Sequence, residues 1–244
     1  MTLLTEATDV FAAAEPSGRC LVAFIAKRQP FVSGLFGREQ SRRLTDLLRA
    51  LQGEGWLMSV RAMFEPNANA EPSAFDCGFA HDADMMGAFE APSLSAALAG
   101  AVRLEQAGWA RLFATEWLVG PREFSPVRGR GERTDHCWGF LALWEWNDAW
   151  SAATTAERRA YDEECDIAFN GDLALGINIA GRHRLDWASR WHHAGLWEAP
   201  SLASIDLAMR GHEAAADFKF TTSRHYVGRL RPLQDFIELH AERG

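Results

Sequence analysis

Hydrophobic and polar positions follow two different periods along the second half of the chain. Residues 137–146 (CWGFLALWEW) are predicted to form a strand of bulky side chains. Thr154 and Glu157 have the spacing of a capping box, which predicts a helix from there to about Ala168. Asn170-Gly171 follows and is typical of a chain break. The pattern therefore predicts a strand and then a helix.

The period returns to two after this break. Strands are predicted over 173–181 and 189–199. Ser201 is the predicted N-cap of a second helix, and 218–228 (FKFTTSRHYVG) the fourth strand. The predicted order is β-α-β-β-α-β, a ferredoxin-like unit with two helices on one face of a four-stranded antiparallel sheet.

A second copy of this unit is predicted in the first half. Residues 87–120 align with 195–228 without a gap at an offset of 108, and ten of the 34 positions are identical, Glu-Ala-Pro-Ser-Leu among them. The predicted fold class is α+β, by tandem duplication. Because the free face of each sheet needs a cover, the two sheets are expected to pack face to face as an intramolecular α+β barrel.

The repeat also predicts the domain boundaries. They are an N-terminal extension (1–15), a first ferredoxin-like repeat (16–120), a linker (121–136), a second, ligand-bearing repeat (137–232) and a C-terminal tail (233–244).

In element order and duplication the chain resembles the dimeric α+β barrel superfamily in its fused two-repeat form. That superfamily includes antibiotic-biosynthesis monooxygenases, isomerases and chlorite-dismutase-like haem proteins. The resemblance implies a ligand between a sheet and its own helices, or inside the barrel. It does not identify the reaction, because one fold supports several chemistries.

Charge and composition narrow the choice of partners. A formal net charge of −8 argues against nucleic acid. The sequence contains neither a secretory signal nor the roughly 18 apolar residues of a membrane span, and its four cysteines form no C-x-x-C pair. We expect a cytoplasmic protein that binds a small organic molecule, does not interact with membranes, and is a monomer or a homodimer.

Differences between the copies indicate where a site lies, since shared residues are explained by the shared fold. Glu90 and Glu198 are shared and are therefore assigned to the scaffold. At four aligned positions the second copy has a polar residue that differs from the residue of the first copy. The second copy has Asn178 where the first has Ala62, His192 where it has Asp84, His193 where it has Met85, and His225 where it has Trp117.

Strand alternation predicts which side chains meet. If Leu141, Leu143, Ala194 and Leu196 pack against the helices, the opposite face is the barrel interior. The predicted interior residues are Trp144, Trp146, Trp191, Trp197, Asn178, His193 and His225.

These residue types suit an enzyme site. His193 and His225 are candidate acid/base groups, Asn178 a candidate oxyanion donor, and the tryptophans candidate walls for a planar substrate. The hypothesis is a cofactor-independent monooxygenase, isomerase or lyase acting on a small aromatic or polyketide-like compound. The alternative is a non-catalytic protein that binds a small molecule or haem, with core tryptophans and with histidines that bond backbone carbonyls.

No metal and no cofactor are predicted, and haem is the alternative. His183, His192, His193 and His212 do not have the spacing of a metal site. The resemblance implies an axial histidine on the helix side of the second copy, where Cys165 stands instead. A Cys165 thiolate or a strand histidine would then have to hold haem.

Overall fold

The structure is a computed structural model that describes residues 18–30, 38–64, 70–121, 129–133, 135–187 and 189–238. The predicted N-terminal extension and residues 122–128 and 134 of the predicted linker lie outside this part. The chain divides into two compact units, Met1–Arg122 with Gly228–Gly244, and Glu123–Val227.

The first unit contains four strands and its own helices. They are β1 (Cys20–Arg28), α1 (Arg38–Gly53), α2 (Val60–Phe64), β2 (Ser73–Asp76), β3 (Met85–Ala91), α3 (Leu94–Leu104) and β4 (Phe113–Pro121). The strands are antiparallel, in the order β4-β1-β3-β2. Helix α3 continues through a wider π turn at Glu105–Trp109, where Gly108 has a φ of 124°.

The second unit repeats this arrangement. Its elements are β5 (Trp138–Trp146), α4 (Asp148–Ala152), α5 (Thr155–Ala174), β6 (Asn178–Arg184), β7 (His193–Ala199), α6 (Leu202–Ala214), α7 (Asp217–Phe220) and β8 (Thr221–Pro232). The strand order is β8-β5-β7-β6, which matches that of the first unit. The last residues of β8, Arg229–Pro232, belong to the first unit and pair there with Ser73–Asp76 of β2.

Element boundaries also correspond between the units. Strands β3 and β7, and the first residues of β4 and β8, are related by the offset of 108 found in the sequence. Gly108 and Ala216 are related in the same way, and both have positive φ, 124° and 57°. The serines before α3 and α6, Ser93 and Ser201, both act as N-caps.

Two of the predicted helix starts are confirmed by their caps. The Thr154 side chain accepts from the Glu157 backbone N–H while the Glu157 carboxylate accepts from Thr154, which completes the capping box. The Ser201 hydroxyl accepts from the backbone N–H of Ser204.

Other boundaries differ from the prediction. Helix α5 passes Asn170-Gly171 and ends near Gly176, whose φ of 82° suits a glycine after a helix. The second strand therefore begins at Asn178, and residues 173–174 are helical. Residues 217–220 form a helical turn before β8. Ala62, expected in a strand, lies in α2.

Aromatic rings fill the core of the first unit. Phe24 contacts Phe89, Trp109 and Trp117, with ring centroids 5.0, 5.3 and 5.8 Å apart. After β8 the chain forms α8 (Leu233–Glu238), and its apolar side chains Leu233, Phe236 and Ile237 are buried in the same core.

In the described part of the chain, none of the helices is both long enough and apolar enough to cross a membrane.

Candidate functional site

A cavity lies between the sheet of the second unit and the helices of the same unit. Its volume is about 60 Å³, counted as the space that the centre of a water molecule can reach, and it opens in part to solvent. Strands β5 to β8 form one wall, with Phe140, Trp144, Trp197 and His225 among its side chains. Helices α5 to α7 form the other, with Tyr161, Cys165, Phe169, His212, Asp217 and Phe218 among its side chains.

Strand alternation determines the sheet wall. Phe140, Ala142 and Trp144 of β5 face the cavity, whereas Leu141 and Leu143 are buried on the other face. Phe140 and Trp197 pack in one cluster with Ile205 and Ala208 of α6. The predicted faces of β5 and β7 are therefore inverted: the tryptophan side, and not the leucine side, faces the helices.

A β-bulge in β6 brings an arginine to this wall. Ile179 pairs with Trp197 and Arg182 with Gly195, so β6 carries one residue more than β7 in this interval. Gly181 within the bulge has a φ of 111°, which glycine adopts without strain. The extra residue puts Ile179 and Arg182 on one face, and both line the cavity.

A buried polar cluster crosses the helix wall. His212 Nδ1 lies 2.7 Å from Asp217 Oδ2, and His212 Nε2 lies 3.0 Å from Asp172 Oδ2. The Tyr161 hydroxyl and the Cys165 thiol, the latter at 3.6 Å, donate to the other oxygen of Asp217. The His212 ring also stacks on Trp197, with centroids 5.5 Å apart. The cluster thus connects α5, α6 and α7.

Mutual hydrogen bonding sets the protonation states of this cluster. Burial alone would lower the pKa of His212, but its bonds to Asp172 and Asp217 outweigh burial and raise the pKa to about 9. Burial would raise the pKa of Asp217, but the donors His212 and Tyr161 hold it below its usual value. Burial raises the pKa of Asp172 despite its bond to His212. Near neutral pH, His212 is therefore an imidazolium and Asp217 a carboxylate.

His225 is the histidine of the sheet wall. It is half-buried, and its ring lies 5.1 Å from Phe140 and 6.0 Å from Phe218. Burial lowers its pKa below the usual range, so the imidazole is neutral at pH 7. A neutral imidazole can accept a proton at one nitrogen and donate a hydrogen bond from the other.

The structure brings together three of the seven predicted interior residues. Trp144, Trp197 and His225 line the cavity. His193 lies beside it, with its ring stacked on Trp144 at 5.3 Å and edge-on to Trp146 at 5.5 Å.

The remaining two tryptophans of that set lie away from the cavity lining. Trp146 stacks on Trp150 at 4.2 Å and lies edge-on behind the lining residue Tyr161, with centroids 6.1 Å apart, and Trp191 is covered by the Arg190 guanidinium at 4.6 Å.

Asn178 lies on the face opposite to Trp197 and does not reach the cavity. Its Oδ1 accepts from the backbone N–H of Gly131 at 3.0 Å, and its Nδ2 donates to Glu198 at 3.4 Å. The prediction that Asn178 shares a face with the tryptophans is wrong, because Trp144 and Trp197 face the helices whereas Asn178, as expected, points away from them. Its contacts fix residues 129–131 to the sheet edge.

The other histidines have separate surroundings. His192 Nδ1 accepts from the backbone N–H of Trp146 at 3.1 Å, and His183 is fully buried. Within the described ranges, His, Cys, Asp and Glu side chains form no group of three that could hold a metal ion.

The sequence prediction missed the helix wall, although a signal for it was present. In the alignment at offset 108, His212 replaces Leu104 and Asp217 replaces Trp109. Both changes put an ionisable group in place of a large core side chain, as does His225 for Trp117.

Comparison with known proteins finds similarity at the level of structure. No family model matches the sequence, and neither does any curated protein. A mutant chlorite dismutase from Candidatus Nitrospira defluvii matches with a TM-score of 0.74 and 15% identity, over 92% of this chain and 96% of that chain. Chlorite dismutase from the same organism in complex with imidazole matches with a TM-score of 0.71 and 15% identity, over 96% and 99%.

The fold is that of the chlorite-dismutase-like α+β proteins. The resemblance predicted from the sequence is confirmed at this level, since the match covers nearly the whole of both chains. At 15% sequence identity, the similarity shows a shared fold and nothing further.

The donor groups of the cavity test whether haem fits. Burial raises the pKa of the Cys165 thiol to about 12, so near neutral pH it is not the thiolate that would bind iron. Both ring nitrogens of His212 are held by carboxylates. Ligation from the helix side, which the resemblance implies, does not fit these residues.

Proposed function

We propose that the cavity of the second unit binds a small, planar, aromatic or polyketide-like molecule and that His225 exchanges a proton with it. The cavity lies between a sheet and its own helices, its lining surface is mostly apolar, and aromatic side chains such as Phe140, Trp144 and Trp197 form part of it. A neutral imidazole beside a dry aromatic wall is suited to general acid/base catalysis.

The main support for this proposal is the difference between the side chains at corresponding positions of the two units. In the first unit Phe24 pairs with Gly87, and its ring lies so close that a Cβ on Gly87 would be 2.5 Å from Phe24 Cζ. In the second unit Ala142 pairs with Gly195, and the nearest side-chain atom to a Cβ there is 3.4 Å away, on Trp144. The ring that presses on the glycine in the first unit therefore has no counterpart at Ala142 in the second, where Trp144 lies in ordinary contact distance instead.

The positions around this space change together. In the first unit, Trp109 packs on both Phe113 and Trp117. Asp217, Thr221 and His225 take their places at offset 108 and line the cavity. Origin by tandem duplication, with the two sheets forming an α+β barrel, belongs to the same proposal.

The chemistry we propose begins with proton transfer. Removal of a proton from a phenol or an activated carbon is the common first step of cofactor-independent oxygenation, isomerisation and elimination. His225 would take the proton, and Trp144 and Trp197 would hold the ring and exclude water.

Filling the cavity tests the proposal. Ala142→Phe reproduces the Phe24–Gly87 contact of the first unit, and we expect it to weaken binding of 4-nitrophenol, followed by tryptophan quenching, by at least about tenfold. Ala156→Phe, on the exposed side of α5, controls for the added ring and should bind as the unaltered chain does. Equal binding by both variants would refute the cavity as the site.

Haem binding by way of His225 is the second candidate. Within the described residues, no hydrogen bond occupies the ring nitrogens of His225, and the fold is that of chlorite dismutase. Titration with hemin should then give a Soret band that His225→Ala shifts. A band unaffected by this change would exclude His225 as ligand.

A further inference from the structure

The polar cluster of the helix wall connects two separate openings of the second unit. Tyr161, His212 and Asp217 line the cavity, whereas Asp172 lines an open groove between α5 and α6, together with Gly171 and Gly211. Hydrogen bonds join these residues without a break, from Tyr161 to Asp217, from Asp217 to His212 and from His212 to Asp172.

We propose that Tyr161, Asp217, His212 and Asp172 form a proton relay between the cavity and the solvent in the α5–α6 groove. Every link joins an acid to a base, and His212 uses both ring nitrogens, one toward each end. Two of these bonds are enough to hold the three helices together, whereas a relay needs the whole series.

Burial around the cluster isolates the relay from other proton acceptors. Asp172 and His212 are 1% and 3% exposed, and the His212 ring is covered by Trp197 and by Phe169, whose centroid lies 4.6 Å away. The groups facing His212 from neighbouring elements are Asp172 on α5 and Asp217 on α7, with Tyr161 and Cys165 beyond Asp217. Asp217, whose side chain is 23% exposed, is the end of the relay toward the cavity, and Asp172 is the end toward the groove.

Protons and charges balance when one proton moves from the ligand to water along the relay. A ligand hydroxyl gives its proton to the Tyr161 oxygen while Tyr161 gives its own to Asp217 Oδ1. His212 then gives its Nε2 proton to Asp172, which passes it to water. Asp217 ends protonated, His212 neutral and Asp172 ionised, so the summed charge of the cluster stays the same, the ligand becomes the anion, and the proton is in water. The reverse sequence returns the proton.

Exchange of the ring protons of His212 with water tests the relay without any ligand. Asp172→Asn keeps an acceptor for the Nε2–H but removes the base. In protein labelled with ¹⁵N-histidine, we expect this variant to slow exchange of the Nε2 proton by about a hundredfold. Glu164→Gln changes a carboxylate in the same groove and should leave the rate unchanged.

A purely structural cluster gives the opposite result. Loosening it by Asp172→Asn would expose the ring and speed the exchange, so an unchanged or faster rate overturns the relay. His212→Gln assigns the signal.

The role of the relay toward a ligand rests on the proposed function. On mixing with 4-nitrophenol, proton release to a pH indicator should be slowed by Asp172→Asn, while binding is retained. If 4-nitrophenol does not bind at all, the proposed function fails and the exchange result still decides the relay. Binding with equally fast proton release in both proteins counts against the relay alone.

Discussion

His212 is a buried charge stabilised by two carboxylates. Its pKa of about 9 in the folded state lies above the usual value of about 6.5. A group with a raised folded pKa contributes stability that is complete below the unfolded pKa and is lost as pH rises through the folded pKa. The free energy of unfolding should therefore fall between pH 6.5 and 9, by up to about 3 kcal/mol.

Urea denaturation across this range measures the effect. His212→Gln should remove most of the slope between pH 6.5 and 8, below the range where thiols of the unfolded chain begin to ionise. His192→Gln is the matched control, because the His192 ring accepts only from a backbone N–H. An unchanged slope in His212→Gln would show that the cluster does not hold an imidazolium.

Individual site residues were predictable only where the two copies could be compared. His225 and Trp197 were found because they stand on a strand, where alternation groups side chains by face. His212 and Asp217 lie in the same alignment, but their partner Asp172 comes from another helix. Only the packing of α5 against α6 brings it to His212.

At the scale of the element, the β-bulge of β6 determines where Arg182 points. Gly181 has a φ of 111°, and a Cβ there would meet no atom within 4 Å, so Gly181→Ala costs backbone strain alone. We expect a loss of about 1–3 kcal/mol in the free energy of unfolding, together with weaker binding of 4-nitrophenol.

A helical glycine provides the control for this change. Gly171 lies within α5, and a Cβ there also meets nothing within 4 Å. Gly171→Ala should stabilise the protein by about 0.5–1 kcal/mol, because alanine favours the helix. If both variants shift stability in the same direction, the bulge is not strained as described.

The face assignment shows what periodicity cannot decide. Alternation correctly separated Leu141 and Leu143 from Trp144, but both faces of β5 are apolar, and both leucines are fully buried. Nothing in a strand that is buried on both sides tells which face meets the helices. The missed end of α5 has a similar cause, since Asn170-Gly171 resembles a stop and the actual stop is Gly176.

At the scale of the whole molecule, the last described helix, α8, packs into the core of the first unit. Residues 233–244 were predicted as a tail, yet Leu233, Phe236 and Ile237 are at most 2% exposed. Phe236→Ala should cost about 3–5 kcal/mol of unfolding free energy, as large-to-small changes in a core do. Asp235→Ala, exposed on the same helix, should cost little. Urea denaturation followed by circular dichroism distinguishes the two, and equal midpoints would mean that α8 does not contribute to the core.

The order of helices and strands was predictable at this scale, because the same pattern occurs in both halves of the sequence. The sequence predicts the β-α-β-β-α-β pattern twice, and the strands of the two units have corresponding orders, β4-β1-β3-β2 and β8-β5-β7-β6. The cavity was not predictable in the same way, since it results from Ala142 in place of Phe24, a difference that only strand pairing makes visible.

The central claim is that the second unit holds an open binding cavity where the first is filled. Crystals soaked in 4-iodophenol test it most directly, because the anomalous signal of iodine locates the ring without assumptions. We predict an iodine peak between Phe140 and Phe169 in the second unit and none at Phe24 in the first. A peak absent from the cavity, or equal peaks in both units, would contradict the account.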